Sequence, residues 1–209
     1  MDDQRTASRS PLSGWRSVAL AAALAAAVIA AIVWTGGSHP GGESGGGDAF
    51  ARAGVTRVNP DTRGPAFRLL EFPGARHRSL DDYAGSLVVL NFWATWCGPC
   101  TTEMPALEAL WRRYRSRGLV VLAVSVDRGA APTIVEPYLR QHGLTFPVLL
   151  DPDMGAAREW RVTGLPATFL VAPGGAIRGA AIGAREWDSP AMRGLVETLL
   201  PVRAAAARP

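Results

Sequence analysis

Lysine is absent from the 209-residue sequence, and cysteine and histidine are scarce. All 22 basic residues are arginines, and they face 18 acidic residues, so the formal net charge is only +4. No block of five or six like charges occurs, so the chain lacks the basic footprint of a nucleic-acid-binding protein. Hydrophobic residues make up 48% of the chain, a composition that excludes wholesale disorder.

The two cysteines are Cys97 and Cys100, which are too few for a disulfide-stapled scaffold. A zinc site needs four ligands, and the three histidines, His39, His77 and His142, are scattered, so we predict no metal site. A bridge that closes a two-residue loop would remove little chain entropy, which disfavours a structural disulfide. The pair is therefore interpreted as a redox-active dithiol.

An uncharged segment, residues 17–42, follows the N-terminal arginines. Its apolar core from Val18 to Trp34 is 17 residues long, at the short end of what crosses a bilayer. It exceeds the apolar centre of a typical cleaved signal peptide, although cleavage stays an alternative. No cysteine lies nearby to carry lipid. We predict a transmembrane anchor, or uncleaved signal, at residues 17–35.

The charge distribution sets the predicted orientation. Arg5, Arg9 and Arg16 precede the apolar core, and the next arginine is Arg52. By the positive-inside rule, we expect a single-pass cell-membrane protein in which residues 1–16 form a cytoplasmic tail and everything after residue 35 is extracytoplasmic. We expect three further segments: a flexible Gly/Ser-rich tether at residues 36–58, a folded domain at 59–201 and a frayed tail at 202–209.

Apolar runs and turn residues between residues 60 and 200 predict alternating strands and helices, hence an α/β domain with a mixed sheet. The predicted strands are Phe67–Phe72, Leu87–Trp93, Leu119–Val126, Phe146–Leu150, Ala167–Ala172 and Ala176–Ile182. The predicted helices are Pro99–Arg117, Thr133–Gln141, Asp153–Arg161 and Pro190–Leu200. Asp127 and Asp151, each at the end of a strand, are most simply caps or turn residues.

The two cysteines lie at the junction between the predicted central strand, Leu87–Trp93, and the helix that follows it. A cysteine at the start of a helix faces unpaired N–H groups and the positive end of the helix dipole. Both favour the thiolate, so we expect a lowered pKa at Cys97. Cys100, one turn into the helix, is expected to be more buried and placed to attack a mixed disulfide.

The segment Asn-Phe-Trp-Ala-Thr-Trp-Cys-Gly-Pro-Cys, residues 91–100, resembles the active-site segment of the thioredoxin superfamily. The continuation Thr-Thr-Glu-Met-Pro, residues 101–105, is similar to its exported, membrane-tethered branch, the TlpA/ResA-like thiol–disulfide oxidoreductases. The resemblance covers about residues 60–200. It implies a three-layer thioredoxin-like fold, in which helices flank a central mixed sheet, preceded by one N-terminal transmembrane helix. It implies no cofactor beyond the Cys97–Cys100 pair.

The resemblance also implies residue roles. Cys97 would be the attacking thiol and Cys100 the resolving one. Pro166 would be a cis-proline facing the pair, with substrate backbone pairing near Leu165. The neighbouring groove residues would contact substrate, although simple packing is an equal alternative for Trp96. These groove residues are Trp96, Gly98 and Pro99.

Two polar residues near the cysteines need separate interpretation. Glu103 matches an acidic residue of this branch and would raise the thiol pKa values and relay a proton to the leaving thiol. The alternative interpretation of Glu103 is a solvated carboxylate on the helix surface. Asn91 stands where many cytoplasmic thioredoxins have an aspartate. Asparagine cannot take a proton, so acid–base work would fall to Glu103 or water. Trp93 is predicted to be simple core.

The function implied is disulfide reduction in extracytoplasmic proteins, with apocytochrome c as one candidate substrate and a membrane-embedded thiol transporter as electron donor. We expect a membrane-anchored monomer that binds no nucleic acid. The DsbE/CcmG-type cytochrome-maturation proteins usually carry Pro-Glu-Thr where this chain has Pro166-Ala167-Thr168. The alternatives are a thiol oxidase, a non-catalytic binding or chaperone module, and a peroxidase, whose usual threonine is replaced by Ala94.

Overall fold

The computed structural model describes residues 48–129 and 131–201, which fall within one compact unit. The helices are α1 (Ala49–Arg52), α2 (Gly98–Tyr114), α3 (Ala131–His142), α4 (Gly155–Glu159) and α5 (Pro190–Leu199), with 3₁₀ turns at Leu80–Tyr83 and Arg115–Arg117. The strands are β1 (Thr56–Arg57), β2 (Leu69–Phe72), β3 (His77–Arg78), β4 (Leu87–Trp93), β5 (Leu119–Ser125), β6 (Val148–Leu150), β7 (Ala167–Val171) and β8 (Ile177–Ile182).

The eight described strands form one mixed sheet in the order β1-β8-β7-β4-β5-β6-β2-β3. Strands β4, β5 and β6 run parallel, because helices α2 and α3 connect them, and the other neighbours pair antiparallel. The predicted α/β class with a central mixed sheet is therefore confirmed. The fold is thioredoxin-like.

Strand β4 is the centre of the core. All seven of its residues are buried, as expected for an apolar, β-branched run covered on both faces. It pairs with β5 from Leu87 opposite Leu119 to Trp93 opposite Ser125. Trp93 is fully buried, which confirms its predicted place in the core. The strand ends four residues before Cys97, so the cysteine lies at the carboxyl edge of the parallel strands, where α/β proteins place their sites.

The folded domain begins earlier than predicted. The sequence placed residues 36–58 in a flexible tether, but residues 48–58 pack on the domain. Asp48 caps helix α1 by accepting a hydrogen bond from the amide of Phe50 at 3.2 Å. Phe50 and Val55 are buried, and β1 extends the sheet by pairing with β8. Buried apolar side chains and pairing with the sheet edge at β8 thus hold this segment on the domain.

The remaining predicted elements are present with small shifts in their bounds. The strand predicted at Phe146–Leu150 is shorter, Val148–Leu150, and the helix predicted at Asp153–Arg161 spans Gly155–Glu159. Asp151 accepts hydrogen bonds from the amides of Ala156 and Ala157 at 3.2 and 2.8 Å, so its predicted role as a cap is confirmed.

The predicted anchor at residues 17–35 lies outside the described residues, as do the cytoplasmic tail at 1–16 and the C-terminal tail at 202–209. Among the residues that are described, no helix combines the length and the apolar character needed to cross a bilayer.

Candidate active site

A disulfide joins Cys97 and Cys100 at the start of helix α2. Cys97 is the N-cap of the helix, and its Sγ accepts a hydrogen bond from the amide of Cys100 at 3.3 Å. Pro99 fits the first turn because a proline there gives up an N–H that has no helical partner. Cys97 is 6% exposed and Cys100 is 0% exposed. The more accessible of the two cysteines is therefore the one at the helix N-terminus, a position that favours a thiolate in a reduced cysteine.

Asp127, just beyond β5, holds the loop that leads into the cysteines. Its carboxylate accepts hydrogen bonds from the amide of Thr95 at 3.0 Å and from the Thr95 hydroxyl at 2.7 Å. A third hydrogen bond comes from the hydroxyl of Ser125 at 2.8 Å. Because Asp127 is 2% exposed, these hydrogen bonds lie in the protein interior, and they hold Thr95 against the end of β5. The predicted turn role of Asp127 is confirmed, and the turn it fixes is the active-site loop.

An apolar groove of about 470 Å³ runs beside Cys97. It contains the predicted site residues Trp96, Cys97, Gly98, Pro99 and Leu165, together with Met154, Val162, Thr163 and Gly164. The structure therefore brings together five of the eight predicted site residues on one surface. Of the other three, Cys100, Pro166 and Glu103, none lines this groove.

Pro166 follows Leu165 through a cis peptide bond, so the cis geometry implied by the resemblance is present. The proline is buried, and its carbonyl accepts a hydrogen bond from the amide of Gly183 at 2.8 Å. In the described part of the chain, the main-chain N–H and C=O of Leu165 have no hydrogen-bond partner. A peptide strand laid along the groove could use both groups.

Trp96 projects from the loop with 70% of its surface exposed, so it forms a rim and does not pack in the core. Beyond it lies a second groove of about 490 Å³, which contains Ile134, Met154 and Arg128. The exposed large hydrophobic side chains of the described residues are Trp96, Ile134 and Ile182. Ile182 lies near Gly164, where an added Cβ would be 3.8 Å from the Ile182 Cγ2. Trp96 lines both grooves, Ile134 lines the second, and Ile182 lies beside a glycine that lines the first.

Glu103 lies one turn beyond Cys100 on helix α2 and is 1% exposed, so the alternative of a solvated carboxylate is wrong. Its Oε1 accepts a hydrogen bond from Asn91 Nδ2 at 2.8 Å. Its Oε2 accepts two, from the Arg185 amide at 3.0 Å and from Trp187 Nε1 at 2.8 Å. Burial raises the pKa of Glu103 above its ordinary value of 4.5, although the three donors act to lower it.

Asn91 sits behind the site on β4 and is fully buried. Its Nδ2 donates to Glu103 and also to the hydroxyl of Thr168 on the adjacent strand β7, at 2.9 Å. Its Oδ1 has no hydrogen-bond partner among the residues that the structure describes. Asn91 therefore acts as a donor to the carboxylate, which agrees with the prediction that acid–base work does not fall to this residue.

Sequence reasoning missed Arg185 and Trp187, which complete the surroundings of Glu103. They lie 82 and 84 residues further along the chain, in the connection between β8 and α5, where no motif marks them. The one available signal was a tryptophan in a polar segment, Arg-Glu-Trp-Asp at residues 185–188, and Trp187 is fully buried.

No cluster of three or more metal-binding side chains occurs within residues 48–129 and 131–201.

The thioredoxin-like sheet, with a disulfide at the first turn of α2, defines a thiol–disulfide oxidoreductase. Solved structures agree. A Chlorobium tepidum protein assigned as thiol:disulfide interchange protein DsbE superposes with a TM-score of 0.61 at 30% identity, covering 68% of this chain and 98% of that one. StoA from Bacillus subtilis superposes with a TM-score of 0.53 at 25% identity, covering 64% and 96%.

Sequence relatives define the family. The AhpC/TSA family matches residues 60–180. The thiol–disulfide oxidoreductase ResA of Geobacillus kaustophilus is 39% identical over 123 residues, which are 59% of this chain and 69% of that protein. ResA of Bacillus subtilis is 34% identical over 125 residues, 60% and 68% of the two chains. The chain belongs to the AhpC/TSA family and to the ResA thiol–disulfide oxidoreductases.

Proposed function

We propose that this protein reduces disulfide bonds in extracytoplasmic polypeptides, apocytochrome c among them, through dithiol exchange at Cys97 and Cys100. The observation that carries the proposal is the disulfide itself. Its more accessible sulfur caps a helix and lines an apolar groove, so a thiolate formed there meets a surface suited to a polypeptide. Protein disulfides are the substrates that oxidoreductases of this family imply.

The proposed cycle moves two electrons to the substrate. In the reduced protein, the Cys97 thiolate attacks one sulfur of the substrate disulfide. A mixed disulfide forms, and the other substrate sulfur leaves as a thiolate that takes up a proton. Cys100 then attacks Cys97, which closes the Cys97–Cys100 disulfide and releases the second substrate thiol. A dithiol donor, proposed to be a membrane-embedded thiol transporter, resets the pair by the same exchange in reverse.

The groove supports an extended polypeptide as the substrate. Its lining is mostly apolar, and Trp96, the most exposed of the large hydrophobic side chains described, lines it beside Cys97. The unused main-chain groups of Leu165 offer one strand-like pairing position beside the attacked sulfur. In this proposal, an unfolded chain with apolar residues flanking its cysteines is preferred to a small polar disulfide.

Glu103 is proposed to accept the proton of Cys100. The two residues are three positions apart on one helix, which places their side chains on the same face. Burial raises the pKa of Glu103, so the carboxylate is a better base than an exposed one. Taking the proton as Cys100 attacks would make the resolving sulfur a thiolate at the moment it is needed.

The rest of the chain sets the proposed location. Residues 17–35 would anchor the protein in the cell membrane with residues 1–16 in the cytoplasm. Residues 36–47 would tether the domain to the outer face, because residues from Asp48 onward already pack on the domain. The protein would act there as a monomer, on polypeptides that have just been exported.

Trapping of the mixed disulfide tests the proposal. The reduced Cys100→Ala variant is mixed with an oxidised peptide that carries a Cys-x-x-Cys-His haem-attachment sequence. We expect a covalent adduct on Cys97, and none with a Cys97→Ala, Cys100→Ala control. No adduct with the single variant would overturn the exchange mechanism. A reduction potential of about −120 mV, the range of strong oxidants, would instead contradict reduction as its direction.

A further inference from the structure

We propose that Arg185 is a positioning residue for Glu103, and that the N-terminal segment of the domain supports it through Gly54. The inference rests on the proposed function only in giving Glu103 a role in catalysis. Its geometry is independent of that role, because it concerns how the connection between β8 and α5 is held against helix α2.

Both donors to the Oε2 of Glu103 come from this short connection. The amide of Arg185 donates at 3.0 Å and the indole of Trp187 at 2.8 Å, with only Glu186 between them. Two donors on one oxygen require the main chain of residues 185–187 to keep one conformation. A carboxylate buried without these bonds would be strongly disfavoured.

The guanidinium of Arg185 stabilises the conformation of this connection through three hydrogen bonds to main-chain carbonyls. Its Nη1 donates to the carbonyls of Gly183 at 3.1 Å and Ala184 at 2.9 Å, so the side chain folds back on the main chain just before it. Its Nε donates to the carbonyl of Gly54 at 2.9 Å. The fixed fork of an arginine can make these bonds together, whereas the single ammonium of a lysine cannot reproduce their geometry.

Gly54 connects this arrangement to the N-terminal segment. Its φ of +67° suits glycine, and an added Cβ would lie 3.2 Å from the Arg185 Nε and 3.3 Å from its Cδ. Gly54 lies between buried Phe50 and Val55, which hold the segment on the domain. The chain that leads from the predicted tether therefore contacts the residue whose amide holds the active-site carboxylate.

Arg185 also carries the positive charge that acts on Glu103. The other groups in contact with the carboxylate, Asn91 and Trp187, are neutral, and the cysteine pair lies one turn back on the same helix. Removing Arg185 takes away this charge and frees the connection that carries both Oε2 donors. Both changes favour the protonated form of Glu103.

The experiment follows the titration of Glu103 in the full-length, oxidised protein by carbon NMR of ¹³C-labelled glutamate carboxyl groups. Glu103→Gln assigns the signal, and the closed disulfide keeps the thiols from titrating. We expect Arg185→Ala to raise the proton affinity of Glu103 on the order of three- to tenfold. Gly54→Ala should raise it in the same direction and keeps the test usable should Arg185→Ala fold poorly.

Two variants separate positioning from charge and from general stability. Arg57→Ala, the matched control, removes an arginine from the same N-terminal segment, where it pairs with Asp48 at 2.7 Å, and should leave the titration unchanged. Arg185→Lys keeps the charge and loses the fork, so it should raise the proton affinity in the same direction as Arg185→Ala, but by less. A wild-type titration in both Arg185 variants, or full rescue by lysine, would overturn the proposal. Failure of the proposed function would show separately, as absence of the Cys97 adduct in the Cys100→Ala trap.

Discussion

The hydroxyl of Thr95 donates to the carboxylate of Asp127 at 2.7 Å, and the Thr95 amide donates to the same group. This contact joins the loop before the cysteines to the end of β5, 32 residues further along the chain. Trp96 and Cys97 follow Thr95 directly, so the position of the exposed indole and of the capping sulfur depends on a buried aspartate that touches neither.

Replacing Asp127 by alanine should therefore affect both stability and chemistry. Three buried or part-buried donors lose their acceptor, which should cost about 2–4 kcal/mol in the free energy of unfolding. The loop that carries Cys97 should also loosen, so thiol–disulfide exchange should slow. Urea unfolding of the oxidised protein and peptide disulfide reduction measure the two effects.

Asp151→Ala is the matched control, because Asp151 is also a buried carboxylate that binds main-chain amides, but at helix α4. It should cost about 1–2 kcal/mol of stability and leave the exchange rate per folded molecule unchanged. Equal loss of exchange rate in the two variants would contradict a specific role for Asp127.

Glu103 should make the stability depend on pH. Burial raises its pKa in the folded protein above 4.5, so the folded state binds this proton more tightly than the unfolded state. The contribution is complete below pH 4.5 and is lost as the pH rises through the folded-state pKa. The free energy of unfolding of the wild type minus that of Glu103→Gln should therefore fall over this range.

Glu108→Gln is a control of opposite sign on the same helix. Burial acts to raise the pKa of Glu108, but hydrogen bonds from Thr145 and Arg112 outweigh it and lower the pKa. Its contribution is present above pH 4.5 and is lost as the pH falls through the folded-state pKa. The same slope for both variants would refute the distinction between the two carboxyl groups.

Replacing Trp96 should lower the rate with polypeptide substrates and leave the stability of the fold nearly unchanged. Because its side chain is 70% exposed, Trp96→Ala should change the free energy of unfolding by no more than about 0.5 kcal/mol. Loss of its contact with a polypeptide should lower kcat/KM for a peptide disulfide about fivefold, equivalent to about 1 kcal/mol. Trp96→Phe should retain most of the rate. An equal loss with a small-molecule disulfide would argue against a polypeptide contact.

The centre of the fold could be predicted from sequence because its patterns are local. The apolar run Leu87–Trp93 is the observed β4 residue for residue, and the helix expected from Pro99 begins one residue earlier at Gly98. The cysteine pair needed only its spacing and its place after the strand. The cis peptide bond before Pro166 was implied by the resemblance alone, and the structure contains it.

Contacts between distant segments could not be predicted in this way. Phe50 and Val55 lie in a stretch that we predicted to be a tether, but both are buried, and β1 pairs with the sheet edge at β8. The three partners of Glu103 likewise come from two distant parts of the chain, Asn91 from β4 and the other two from a connection without a motif. The sequence identified Glu103 as a candidate site residue. It did not show that this carboxyl group is buried, and burial is what raises its pKa.

The central claim is that Cys97 is the reactive sulfur, and the rates of alkylation of the two cysteines test it most directly. The reduced protein is treated with iodoacetamide at pH 7, and each cysteine is followed by mass spectrometry. Cys97 should be modified at least about tenfold faster than Cys100, because it is more accessible and caps the helix. Faster modification of Cys100, or no reaction at Cys97 while the protein stays folded, would contradict the account.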